Sequence, residues 1–237
     1  MSTYLQLCSD LRREVNASGT GPTAVTNQTG EYLRIVNWVK NAWTEIQGRS
    51  FNWRWMRSTF SVNTTSGDEK YAGTDCTDGL TAAAVTRFSR WIPFDDDGAS
   101  NVKCYLTSGG VAGEYFLTNL PWNYYTSLYR LGTQNNGQPI HVSIDPQNNL
   151  VLGPKPDGIY TISGEYQRSA QELAADADTP EMPSPFHQLV VYIAMQKYAG
   201  YQNAPEVMSR GVTEGNRLMR QLEMNQLPMV GLGAPLA

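Results

Sequence analysis

The sequence predicts an α+β protein: a four-helix bundle formed by both chain ends, an inserted antiparallel β domain and an extended C-terminal arm. Three observations predict it. Apolar residues recur at helical spacing near both ends of the chain, and they alternate with polar ones in steps of two through the middle. Residues 224–237, MNQLPMVGLGAPLA, carry no charge. The expected boundaries are 1–49 for the first two helices, 50–166 for the β domain, 167–225 for a linker and the last two helices, and 226–237 for the arm.

In chain order, Tyr4, Leu7, Cys8, Leu11 and Val15 form a helical stripe over 3–15. Residues 16–30 are a loop, because Gly and Pro break the helix and Asn and Thr compete for backbone hydrogen bonds. A second helix runs from a Thr29 cap to about Gln47, with Tyr32, Ile35, Val36, Val39, Trp43 and Ile46 on one face and Gly48 as its stop. Alternation then predicts strands near 53–62, 69–72, 84–92, 101–107, 113–118, 139–145, 149–153 and 158–166. A short helix at 121–132 opens at Pro121 and closes at Gly132. Ser184-Pro185 starts a further helix that Gly200 breaks, and Asn203 with Glu206 has the spacing of a capping box for the last one. Gly211 and Gly215 in that last helix cost about 1 kcal/mol each relative to Ala. A closely approaching backbone accounts for them, and so do two ordinary surface positions.

Composition narrows the function. Of 237 residues, 41 % are hydrophobic and only 17 % charged, below the ~25 % usual in soluble domains. A surface poor in charge and rich in aromatics and amides suits lasting contact with other proteins. The net charge is −4 and no run of Lys or Arg exists, which argues against a grip on phosphate backbone. Cys8, Cys76 and Cys104 lack metal or redox spacing and read as buried thiols in a reducing compartment. No stretch has the length or apolarity of a membrane span, and the N-terminus does not read as a signal peptide.

Catalytic groups are scarce, and the expectation is no enzyme, no cofactor and no metal. The two histidines, His141 and His187, have no Ser, Cys or carboxylate at nucleophile or ligand spacing. Asp95-Asp96-Asp97-Gly98 lacks the alternating acids and closing Glu of a calcium loop and reads as a solvated turn. Ser108-Gly109-Gly110 and Ser18-Gly19-Thr20-Gly21 lack the Lys of a phosphate loop. Trp38, Trp43, Trp53 and Trp55 are the densest aromatic cluster. Trp53 and Trp55, two apart on an expected strand, face one way; with Trp43 they are expected to brace the junction between helices and β domain, the alternatives being a sugar-stacking platform or packing on a neighbouring subunit. Tyr124, Tyr125 and Tyr129 on the short helix form an aromatic surface suited to a subunit or tail interface. The arm, with Leu227, Pro228, Met229, Val230, Leu232 and Leu236, is too apolar for water and too rich in Pro and Gly for a helix; docking in a groove on another protein accounts for both, and the alternative is that it folds back on its own helices.

Several segments resemble bacteriophage head–tail adaptor (connector) proteins: TGPTAVTNQTGEYLRIVNWVKNAWTEIQ, Trp53-Arg54-Trp55-Met56, LVLGPKPDG over 150–158, Asp178-Thr179-Pro180-Glu181-Met182-Pro183, and the C-terminal run 226–237. The layout is similar to tail tubular protein A of short-tailed phages, although 63–120 matches weakly. The resemblance implies a virion structural protein at the head–tail junction, made in the host cytoplasm. It implies a twelve-fold ring below the portal protein, with the arm reaching the portal, a tail or nozzle protein beneath, and double-stranded DNA passing through without specific contact. The rival reading is a tail-associated receptor- or carbohydrate-binding β module, suggested by the aromatic middle of the chain.

Overall fold

The computed structural model describes residues 1–19, 21–95 and 98–227. Among them the chain forms five α-helices and two β-sheets and divides into two units, Met1–Met56 with Ala170–Ala237 and Arg57–Ser169. The helices are α1 (Tyr4–Glu14), α2 (Gly30–Gly48), α3 (Trp122–Tyr129), α4 (Gln188–Gln202) and α5 (Pro205–Gln226).

The helical unit is organised around α4. Leu189, Val190, Val191, Ile193, Ala194 and Met195 are all buried, so α4 is apolar around most of its circumference and has to be enclosed. The helices α1, α2 and α5 all pack on it, and Leu173 and Met182 of the coil that precedes α4 join the same core. The expected four-helix bundle from both chain ends is therefore corrected: the class is α+β, but one central helix is wrapped by three others and by coil. A bundle needs four helices that each present a single stripe to a shared axis, and α4 has no single stripe.

Local chemistry sets the ends of these elements. The Thr3 hydroxyl accepts from the Gln6 N–H at 3.2 Å, and the Thr3 N–H donates to Gln6 Oε1 at 2.9 Å, a capping box at the start of α1. Two sequence expectations fail where α4 meets α5. Gly200 lies inside α4, which ends instead at Asn203 in the left-handed conformation (φ 52°). Asn203 is thus the end of α4 and forms no capping box with Glu206; α5 starts at Pro205, whose fixed φ suits the first helical position. Similarly, Trp53 and Trp55 do not lie on a strand. Arg54–Met56 is a 3₁₀ turn, because the Trp53 indole N–H donates to the carbonyls of Ile46 and Gln47, both at 3.2 Å, closing the end of α2.

Buried polar groups tie the coil after residue 169 to the helices. Gln47 acts like a short piece of strand: Oε1 accepts from the Gln171 N–H at 2.6 Å and Nε2 donates to the Gln171 carbonyl at 3.0 Å. The backbone N–H of Tyr4 donates to Asp178 O at 2.7 Å, and that of Val25 to Asp176 Oδ1 at 2.6 Å. His187, 2 % exposed, accepts the Ser2 N–H at Nδ1 (3.1 Å), which leaves Nε2 as the donor to the Met182 carbonyl (3.1 Å).

The β unit has two sheets. One has the order β3 (Thr77–Asp78), β1 (Arg57–Asn63), β10 (Tyr160–Gln167), β5 (Lys103–Leu106), β6 (Tyr115–Phe116), with β4 (Arg90–Ile92) also on β10. The other has the order β2 (Lys70–Tyr71), β9 (Leu150–Gly153), β8 (His141–Ile144), β7 (Thr118–Asn119). Phe60, Cys104, Ile162 and Tyr166 from the first sheet share one core with Tyr71, Val142, Leu150 and Leu152 from the second. The expectation of purely antiparallel pairing is corrected at one place, since β7 runs parallel to β8. Of the expected strand 84–92 only β4 forms; ahead of it the Arg87 guanidinium donates to the Ser169 carbonyl at 2.7 and 3.2 Å, spending that segment's polar contacts away from a ladder. Asp78 is buried on β3. Burial by itself would raise its carboxyl, but the Tyr166 hydroxyl, the N–H groups of Thr81 and Leu80 and the Ser58 hydroxyl donate to it and hold it at about 2.

The paired glycines of α5 mark a close approach to α4. A Cβ on Gly211 would meet the Tyr192 carbonyl oxygen at 3.1 Å and Met195 Cβ at 3.3 Å, whereas one on Gly215 would meet only the flexible Gln196 amide at 3.2 Å and Tyr192 Cβ at 3.7 Å. Gly211→Leu is expected to destabilise by about 1–3 kcal/mol through overpacking. Gly215→Ala is expected to stabilise by up to about 1 kcal/mol through helix propensity. Urea unfolding measures both. His187 supplies a pH prediction. Burial depresses its folded pKa, so the unfolded chain binds the proton more readily, and the stability His187 contributes is present above about pH 6.5 and lost as pH falls below it. Acidification from pH 7 to 5 should therefore lower the melting temperature of the protein more than that of His187→Gln.

Candidate functional site

The helix α3 lies on the sheet that contains β9. Tyr125 is fully buried, and its hydroxyl donates to the Leu152 carbonyl at 2.9 Å. Burial first, and the neighbouring Glu69 carboxylate second, push that hydroxyl well above its ordinary pKa. The half-buried Tyr129 hydroxyl bonds His141 Nδ1 at 2.6 Å. Its ring occupies the space where Gly153 has no side chain: a Cβ there would lie 2.4 Å from the ring. The strand β9 is thus buried on both faces, with Leu150 and Leu152 turned to the shared core and Val151 outside it. Of the three tyrosines singled out in the sequence, Tyr124 is the exposed one at 65 %. Leu128, one turn further along α3, is exposed as well, and so is Leu131 beyond the end of the helix.

A second face lies between α2 and α4. Trp38 meets Tyr198 edge-to-face and Tyr201 at a tilt, each with ring centroids 5.7 Å apart. The Arg34 guanidinium sits 4.3 Å above the Tyr201 ring and donates to its hydroxyl. Sequence reasoning counted Trp38 in the aromatic cluster without a role of its own and assigned none to Tyr198 or Tyr201. The available signal was the spacing: Arg34 and Trp38 are i, i+4 and Tyr198 and Tyr201 are i, i+3, so each pair shares a helix face.

The junction tryptophans all sit in the helical core. Trp53 and Trp55 stack with centroids 4.4 Å apart, and Trp43 lies 6.5 Å from Trp55. At the C-terminal end of α5, Leu227 packs half-buried on the same core. Pro228, Met229, Val230, Leu232 and Leu236 lie outside the described residues.

The groups most often used for catalysis are otherwise occupied. His141 bonds Tyr129, His187 bonds backbone groups, and burial lowers the pKa of both. Cys8, Cys76 and Cys104 are free and buried; burial pushes the first two thiols up to about 12 and the third to about 11, far from a reactive thiolate. Among the described residues no group of three or more His, Cys, Asp or Glu side chains is placed to hold a metal ion, and no helix is long and apolar enough to cross a membrane. Asp95 accepts the Ala99 N–H at 2.8 Å in a turn, while Asp96 and Asp97 lie outside the described residues.

The helical unit and the β unit each carry solvent-facing aromatic or apolar side chains, Tyr201 on the first and Tyr124 on the second. The sequence model of the SU10 adaptor protein family matches residues 2–230, and the chain belongs to that family. It is a bacteriophage adaptor, a structural protein. Among curated proteins, none matches the chain.

The tyrosines of α3 separate folding from docking. Tyr125→Ala is expected to cost on the order of 3 kcal/mol, from the emptied site and the orphaned Leu152 carbonyl. Tyr124→Ala should stay within about 0.5 kcal/mol of the parent. Thermal unfolding followed by circular dichroism distinguishes them.

Proposed function

We propose that this chain is the subunit of a ring that joins the portal protein of a phage head to the tail and surrounds the DNA exit channel. The observation that carries the reading is the family match over residues 2–230, which spans both units. Copies bind side by side, each repeating one head-to-tail contact until the ring closes, with twelve subunits matching the portal. Each lateral contact buries on the order of 800 Å² per partner, as standard interfaces do. The uncharged segment 226–237 is the arm that meets the portal, with Leu227, Pro228, Met229, Val230, Leu232 and Leu236 as its contact residues. Trp43, Trp53 and Trp55 anchor the polypeptide where it leaves the helical unit, so that load on the ring does not unravel α2. The β unit, through α3 and its exposed Tyr124, faces the tail or nozzle protein. The net charge of −4 suits a channel through which DNA slides without adhering. No reaction and no cofactor is part of this role.

Mixing purified protein with purified portal should give a ring on one end of the portal in negative-stain images; portal particles that stay bare would refute the reading. The half-buried Leu227 makes 228–237 the informative deletion, since it leaves the helical core complete. That truncation should abolish portal docking and leave the far-ultraviolet circular dichroism unchanged. Undiminished docking would remove the arm from the mechanism.

A further inference from the structure

Beside the end of α3 lies an open cleft of about 370 Å³, lined by Glu69, Tyr129, Arg130, Gly132, Gln134 and Lys155. Backbone bonds bring these residues together from three parts of the chain. The Glu69 carbonyl accepts the Leu152 N–H at 2.8 Å, which fixes the acid beside β9. Arg130 caps the C-terminal end of α3, its N–H donating to the Thr126 carbonyl, and Gly132 (φ 69°) turns the chain just after it. The Gly137 N–H then donates to the Lys155 carbonyl at 2.8 Å, and the Asp157 N–H donates to the Gly137 carbonyl at 3.2 Å. Lys155 is thereby held next to the segment that follows α3.

The charges in the cleft do not balance. Arg130 Nη2 lies 3.4 Å from one oxygen of the Glu69 carboxylate, and Lys155 Nζ lies 3.7 Å from the other. Among the described residues neither cation is paired with a second carboxylate, so two positive charges face one negative. The nearest acid along the chain, Asp157, accepts the Tyr160 hydroxyl at 2.7 Å. Both bridges to Glu69 are long, and the two cationic side chains are 44 and 40 % exposed, the geometry of weak pairs. Arg130 is nevertheless positioned, because its guanidinium carbon sits 4.9 Å above the Trp122 ring. Its planar fork of five N–H donors matches the two oxygens of a carboxylate or a phosphate.

The surroundings decide between those two anions. Leu131, the neighbour of Arg130, is 68 % exposed, and Tyr124 and Leu128 of α3 also face solvent. Apolar and aromatic side chains around a charged centre suit a protein partner. A phosphate backbone would meet Glu69 inside the cleft and a net charge of −4 on the whole chain, and both repel a polyanion.

We propose that this cleft binds an Asp or Glu side chain of a partner protein, with Arg130 and Lys155 as the cations that hold it and Glu69 as the resident acid it displaces. The proposal rests on the reading that α3 faces the tail or nozzle protein, and it supplies the chemistry by which that partner is recognised. Until the partner arrives, Glu69 keeps the two cations together. Once it does, a carboxylate reaching both cations relieves the charge imbalance.

The test titrates the full chain with an acetylated, amidated Leu-Glu-Leu peptide and follows it by NMR at low ionic strength. Its Gln counterpart, inorganic phosphate and a short DNA duplex are the comparison probes. The Glu peptide should shift the signals of residues 129–134 and 155, and the Gln peptide should not. Arg130→Gln with Lys155→Gln should weaken the binding at least about tenfold, the loss expected when charged hydrogen bonds are removed. Glu69→Gln should tighten it several-fold by removing the competing carboxylate, a gain that a purely structural Glu69 would not give. Thermal unfolding checks that each variant is folded. No shift at these residues, or equal affinity in the double variant, would overturn the site. Phosphate or DNA binding as tightly as the peptide would overturn the carboxylate partner. Portal images separate this proposal from the adaptor role. Rings on the portal without peptide binding sink the cleft alone, and peptide binding beside bare portals sinks the adaptor placement alone.

Discussion

The enclosure of α4 is the constraint on which the helical unit depends. A helix with buried Leu, Val, Ile, Ala and Met on most sides cannot rest in an interface with one partner. Each of its larger apolar side chains contributes on the order of 1.5–3 kcal/mol when removed from water. That gain is collected only if several elements arrive from different directions. The unit meets the requirement with segments far apart in sequence: α1 and α2 from the start of the chain, α5 from the end, and the coil carrying Leu173 and Met182. The polar bonds of Gln47, Asp176, Asp178 and His187 then hold that coil in place.

The same enclosure explains where an interaction surface is left. The α4 side toward α5 is filled so closely that a Cβ on Gly211 would press on the Tyr192 carbonyl oxygen at 3.1 Å. On the side toward α2, near the end of α4, the packing runs out into Trp38, Tyr198 and Tyr201, whose rings are only partly covered. Within the β unit a parallel division applies to β9. One face belongs to the shared core, and α3 is seated on the other by Tyr125 and Tyr129, which leaves Tyr124, Leu128 and Leu131 to solvent. In both units, residues spent on internal packing decide which aromatic side chains remain available to a partner.

Much of the site was legible in residue types and little of it in residue roles. Tyr124, Tyr125 and Tyr129 stand together in sequence as one aromatic surface, yet a helix of eight residues turns them to different sides. A buried hydroxyl bonded to Leu152, a half-buried one bonded to His141 and one exposed ring result. Trp53 and Trp55 were legible as two aromatic side chains expected on one face of a strand. Their local structure was not, because the two α2 carbonyls that bend this segment into a 3₁₀ turn are invisible to alternation. The Gly200 and Asn203 readings failed for a related reason. Glycine only permits a helix to end, while an Asn able to adopt the left-handed conformation ended this one three residues later.

The sequence by itself determined the α+β class and the positions of the long helices and of the main strands. Those properties are local: periodicity, capping residues and residue counts act over a few positions along the chain. Only the tertiary structure decided that α4 is central and wrapped by three helices, that β7 runs parallel to β8, and that Arg34, Trp38, Tyr198 and Tyr201 form one surface. These depend on which distant segments can bury an apolar helix or strand together. Periodicity reports that a face is apolar and carries no information about what will cover it.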